Sequence, residues 1–223
     1  PMTDINQANS NSIVILGIPD DRGVVVNHGR MGSRHGPAVF RQFFYRLPLG
    51  GQNELANIEL WDLGDLVLED HIATTHESLR RVVSALHRRG CTVIVIGGGH
   101  DATYGSFMGL RDVSENAKLV NLDAHLDVRP REEDGQVGSG STFRRLIEEG
   151  KVSGDDIYLL GFHSHTSAPA HLQYAQENHM HLWPWHEFSR GCRHKVMSDM
   201  LYHLCHHDAV GVSWDLDSIC GTC

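Results

Sequence analysis

The chain has 223 residues and a formal charge of -9, from 19 Lys and Arg against 28 Asp and Glu. One large α/β core over residues 1–223 is expected, because nothing in the composition marks a second domain. No basic cluster is long enough to follow a phosphate backbone, and no apolar run approaches the ~20 residues that cross a bilayer, so neither nucleic acid nor a membrane is an expected partner.

Residues 1–12 are polar, and Met2 reads as the native start with Pro1 as an appended remnant. Along the chain, a strand is expected at residues 13–17 and a helix at 37–47, with Pro37 in a first helical position. A second strand at 58–63 precedes the clearest helix, after Thr75, where Leu79, Val82, Val83 and Leu86 recur at i, i+3, i+4 and i+7 and Gly90 ends the pattern. Thr74 with Glu77 suggests a capping box at its start. Strands at 91–97, 118–123, 157–161 and 209–215 then alternate with helices at 104–111, 142–149, 168–178 and 193–206. This alternation predicts a mostly parallel sheet covered on both faces, with its ligands at the carboxyl ends of the strands. Loops 19–34, 129–142 and 162–167 would line that edge.

Three segments at those ends carry the chemistry: Gly97-Gly98-Gly99-His100-Asp101, Asp123-Ala124-His125-Leu126-Asp127 and Ser213-Trp214-Asp215-Leu216-Asp217. A lone Asp-x-Asp is usually a turn and a Gly run usually a tight bend; three such pieces closing three strands are another matter. His100, Asp123, His125, Asp127, Asp215 and Asp217 offer four carboxylates and two imidazoles, which suits two divalent cations bridged by a hydroxide and favours a hard ion such as Mn²⁺ over structural zinc. On one straight strand Asp123 and Asp127 would stand ~13 Å apart. Ions of a two-metal site lie only ~3.5–4 Å apart. Each strand must therefore stop near its first Asp, with the chain curling back over the tip.

The five cysteines, Cys91, Cys192, Cys205, Cys220 and Cys223, are too sparse for a disulfide scaffold and point to a reducing cytoplasm. The Cys220/Cys223 pair has zinc or redox spacing but lacks a second pair. His203, His206 and His207 read as a solvated helix end, with His203 beside both others by helix spacing.

On these three motifs, in this order and at similar spacing, the chain resembles the ureohydrolase family of arginase, agmatinase and formimidoylglutamase. The resemblance implies a three-layer α/β/α sandwich, a usually oligomeric enzyme and two Mn²⁺ per subunit. One ion would be held by His100, Asp123, Asp127 and Asp215, and the other by Asp123, His125, Asp215 and Asp217. Asp127 would also be the catalytic carboxylate that orients the hydroxide. The stretch Gly17-Ile18-Pro19-Asp20-Asp21-Arg22-Gly23, with His28-Gly29-Arg30 and Arg34-His35-Gly36-Pro37, looks most like the formimidoylglutamase branch, as does Arg129 just beyond Asp127. That branch hydrolyses the formimidoyl C–N bond of N-formimidoyl-L-glutamate in histidine breakdown.

A substrate with two carboxylates needs cationic partners, and Arg129 is the first choice for a bidentate contact. Ser139 and Ser141, before a predicted helix with Thr142, would serve the second carboxylate. The bland alternative makes Arg129 and Arg131 surface charges and Ser141 a cap. Arginases carry a proton-transfer His in the loop after the central motif; residues 128–142 have none, which leaves His163 or His165 as substitutes. The resemblance also implies that the family's carboxy-terminal portion, with a substrate-anchoring glutamate, is missing. Arginine or agmatine as substrate, with urea released, would keep the same site. Metal binding without catalysis is a third reading.

Overall fold

A computed structural model describes residues 8–48, 58–131, 136–149, 151–187 and 193–219, within two compact units. One unit comprises residues 1–113 and 137–139, the other residues 114–136 and 140–223.

In the first unit β1 (Ser12–Gly17) lies between β2 (Glu59–Asp65) and β3 (Thr92–Ile96), all parallel, with Val14 facing Trp61 on one side and Val93 on the other. β1 is almost wholly buried, as a central parallel strand must be. Helices α1 (Arg22–Val26), α2 (Gly36–Phe44), α3 (Ile72–His87) and α4 (Ala102–Arg111) accompany it. α3 contributes to both core clusters of this unit: Leu79 and Val83 pack with Leu16, Ile18 and Ala102, while Leu86 joins Val14 and Cys91. The stripe seen in the sequence is thus the buried face.

The start of α3 differs from the expectation. It begins at Ile72 with His71 at the cap position, so Thr74 lies inside the first turn and donates its hydroxyl to the His71 carbonyl (2.8 Å). Glu77 pairs with Arg80 instead of closing a capping box. The cause lies upstream: the Arg22 guanidinium binds the carbonyls of Glu69 and Asp70 and the Thr75 hydroxyl, which also accepts from the Glu69 amide. Gly90 does end the helix, at φ +81°. α2 starts at Gly36, making Pro37 its second residue, and stops at Phe44, before the expected 47.

The second unit holds β4 (Lys118–Leu122), β5 (Ile157–Leu160), β6 (His181–Trp183) and β7 (Val210–Trp214), parallel in the order β6-β5-β4-β7. Val120, Tyr158 and Leu160 pack with Met200 and Leu204. Around them run α5 (Thr142–Glu148), α6 (Pro169–Glu177), α7 (Trp185–Glu187) and α8 (Arg193–Leu204). α8 ends two residues before the expected 206, so His206 and His207 lie in the turn beyond it. His203 and His206 are exposed, as a solvated helix end should be, and the His203 ring lies 5.7 Å from that of His181. Cys91 and Cys205 are free thiols, and Cys192, Cys220 and Cys223 lie outside the described residues, as do Pro1 and Met2. Among the described residues no helix is long and apolar enough to cross a membrane. Parallel sheets with flanking helices are the expected α/β architecture.

Candidate metal centre

The curl required of the ligand segments is built by two similar turns. β4 ends at Leu122; Asp123 then donates its amide to the Leu160 carbonyl (3.1 Å), one last rung of the ladder, while its side chain accepts from the His125 amide (2.8 Å). At the end of β7, Asp215 donates to the Leu122 carbonyl (2.9 Å), and its carboxylate accepts from the Asp217 amide (3.1 Å) in a 3-10 turn. Each Asp thus closes a local turn over its own backbone two residues on, which reverses the chain within three residues. The Ala124 amide in turn donates to the Asp217 carboxylate (3.3 Å), tying one turn to the other.

Asp127 is brought back by a further device. Its φ is +46°, a left-handed conformation that Asp tolerates better than most residues. Its carbonyl accepts from the Phe143 amide (3.1 Å) and the Arg129 amide donates to the Gly140 carbonyl (2.9 Å), so the start of α5 holds the loop in place. Carboxylate oxygens of Asp123, Asp127 and Asp215 consequently lie within 4.8 Å of one another, and ligand atoms of Asp123, His125 and Asp217 form a second such group. Asp123, itself buried, belongs to both. His100 is in the first unit, half-buried after the Gly97–Gly99 turn, where the Gly98 amide binds the Ile18 carbonyl (2.9 Å) and the Gly99 amide that of Asp20 (2.8 Å).

Electrostatics test whether these residues suit a cation. His125 Nδ1 stands 2.8 Å from Asp217 and 3.6 Å from Asp123. The hydrogen bonds to Asp123 and Asp217 push its pKa up to about 10, against the opposing effect of burial. A proton here balances carboxylates that a hard divalent ion would balance better, and the oxygen-rich donor set fits such an ion. With the folded pKa above the unfolded value of about 6.5, the protonated His125 stabilises the metal-free protein below about pH 6.5, and this contribution is lost as pH rises through about 10. Binding an ion at His125 must expel that proton. Titration of the protein with Mn²⁺ by calorimetry at pH 7.5, in two buffers of different ionisation enthalpy, is expected to show close to one proton released at this site. Identical heats in both buffers would contradict it.

Arg129 is exposed and pairs with no carboxylate among the described residues; its charge, after burial, helps lower the pKa of His171 on α6. Arg131 lies 3.8 Å from Glu149, which also pairs with Arg145, and so behaves as a surface charge. Ser139 and Ser141 are both buried; Ser141 occupies the cap position of α5 without making a side-chain cap bond. His163 donates its amide to the Ala124 carbonyl (2.9 Å), which anchors its loop to the central motif, and its ring lies 5.4 Å from that of His165. The sequence reading missed Asn121, whose amide nitrogen donates to the Asp123 carboxylate (3.1 Å); its place two residues before Asp123, on the same strand face, was the available signal.

The chain is similar to known proteins over most of its length. A model of the arginase family matches residues 11–222. The chain is 34% identical over 158 residues to formimidoylglutamase of Geobacillus thermodenitrificans, covering 69% of this chain and 46% of that protein. It is 32% identical over 152 residues to that of Lysinibacillus sphaericus, covering 66% and 46%. The chain spans about half the length of the curated relatives it matches. Among solved structures, Trypanosoma cruzi formiminoglutamase with Mn²⁺ is similar at a TM-score of 0.82 and 31% identity, over 89% of this chain and 68% of that one. Formimidoylglutamase from Bacillus subtilis, at 20% identity, shares the fold with a TM-score of 0.85 over 95% of this chain and 67% of its own. The matched residues include all three ligand segments and both sheets that carry them, and the chain belongs to the arginase family.

Proposed function

We propose that the protein is a two-manganese hydrolase that cleaves the formimidoyl C–N bond of N-formimidoyl-L-glutamate, giving L-glutamate and formamide. The observation that carries this reading is Asp123, a buried carboxylate common to two adjacent ligand groups. One ion would be held by His100, Asp123, Asp127 and Asp215, the other by Asp123, His125, Asp215 and Asp217. The names of the relatives, and the Mn²⁺ of the Trypanosoma cruzi structure, support the substrate and the metal. When bound, two such ions acidify a water and polarise the amidine.

The protein's own residues do the rest. Water adds to the amidinium carbon, the bond from that carbon to the glutamate nitrogen breaks, and the leaving amine takes up a proton. The Asp127 carboxylate, held by its left-handed backbone, orients the attacking water and accepts its proton. His163 is in reach of the central motif through its bond to Ala124 and is a candidate to pass a proton to the leaving amine. Ser139 and Ser141 would offer hydroxyls to one substrate carboxylate, and Arg129 a guanidinium to the other. The two units would act as one catalytic domain. A homo-oligomer in a reducing cytoplasm fits the free Cys91 and Cys205 and the exposed Val39 and Phe43, one turn apart on α2.

Arg129 gives the test of specificity. Arg129→Leu is expected to leave Mn²⁺ bound and to lower kcat/KM for formimidoyl-glutamate roughly 10- to 100-fold, the scale of one charged hydrogen-bonded pair. An amidine without the carboxylate should be a poor substrate for the parent and lose little more in the variant. Equal losses on both substrates would show that Arg129 supports the site's structure instead.

A further inference from the structure

Asp101 follows His100 and stands at the N-cap position of α4, where an Asp ordinarily accepts hydrogen bonds from the first turn of the helix. It makes no such bond. Its carboxylate turns inward, and Oδ2 lies 2.9 Å from His76 Nε2 on α3, with both side chains almost completely buried. The other oxygen, Oδ1, has no hydrogen-bond partner among the described residues. It is wedged between two glycines: a Cβ on Gly23 or on Gly99 would stand 2.2 Å from it. One buried carboxylate therefore touches the start of α1, the glycine turn that carries His100, and α3. A neighbouring pair closes the same region, for Asp20 is gripped by Arg22 (2.7 Å) while its carbonyl binds the Gly99 amide.

Burying a carboxylate with one oxygen unmatched is costly, and capping a helix needs nothing of the kind. We infer that Asp101, held by His76, is a positioning residue that fixes the Gly97–His100 turn against α1 and so presents the His100 imidazole for metal binding. This rests on the proposed role of His100 as a ligand. It adds that the geometry of that ligand is set from the interior of the first unit, by a carboxylate that binds neither metal nor substrate. Groups that hold ligands in place in this way typically change metal affinity by roughly 10- to 100-fold when removed.

The test is Mn²⁺ titration of the purified full chain by calorimetry, with metal content by elemental analysis, for the parent, Asp101→Ala, Asp101→Asn and His76→Gln. The last two conserve volume and remain informative if Asp101→Ala does not fold. The parent is expected to bind two ions. In each folded variant one site should weaken roughly 10- to 100-fold while the other stays at parent affinity, and His100→Ala should weaken the same site with no further loss when combined with Asp101→Asn. Two sites at parent affinity in the variants would overturn the inference while leaving the binuclear reading intact. Fewer than two sites in the parent would overturn both.

Discussion

Asp123→Ala should abolish hydrolysis and leave the protein with fewer than two Mn²⁺ per chain. Asp123 supplies oxygen to both ligand groups, so its loss removes the shared contact and leaves each group short of one negative donor. Metal stabilisation of developing charge is worth several kcal/mol, and activity should fall by at least roughly 10³-fold. The loss should come from the site and not from the fold. The side chain's bonds to Asn121 and the His125 amide and its pairing with the His125 ring are all local, and removing one carboxylate from a cluster of them relieves repulsion in the metal-free state. Circular dichroism should be unchanged while elemental analysis shows the missing metal. Two ions retained in Asp123→Ala would defeat the assignment of Asp123 as a bridge.

Gly98→Ala should be among the most destabilising single changes in the first unit. A Cβ there would stand 1.9 Å from the Asp20 carbonyl oxygen and 2.6 Å from its carbon, both backbone atoms with no rotamer to escape into. The clash can be relieved only by separating residues 18–20 from 98–99, which breaks the bonds from Gly98 to Ile18 and from Gly99 to Asp20. Two buried backbone pairs at ~1–3 kcal/mol each give a loss of roughly 3–5 kcal/mol, or a fall in Tm on the order of 10 °C. Thermal denaturation of the metal-free proteins measures it, and a Tm within about 2 °C of the parent would show that the turn accommodates a side chain.

The same site shows what the sequence could and could not convey. Strands with buried, β-branched runs such as Ile13–Gly17 were readable because parallel pairing demands continuous apolar residues. The need for Asp123 and Asp215 to end their strands followed from distance alone, and both strands do stop one residue earlier, at Leu122 and Trp214. β6 was not readable. Its three residues show no alternation, and it is held by stacking of Tyr158 on His181 (4.3 Å), a contact between residues far apart in the chain. The start of α3 was misjudged for a similar reason, because Arg22, some fifty residues away, shapes the segment before it. The inward turn of Asp101 was equally hidden, since an acidic residue before a helix reads as a cap until His76 is seen behind it.

The most direct test of the account is a product assay. The full chain, loaded with Mn²⁺, would be incubated separately with N-formimidoyl-L-glutamate, arginine and agmatine, with glutamate, formamide and urea measured. One formamide is expected for each glutamate from the first substrate, dependent on Mn²⁺ and lost in Asp123→Ala, and no urea from the other two. Urea from arginine or agmatine, or metal uptake with no product from any of the three, would contradict it.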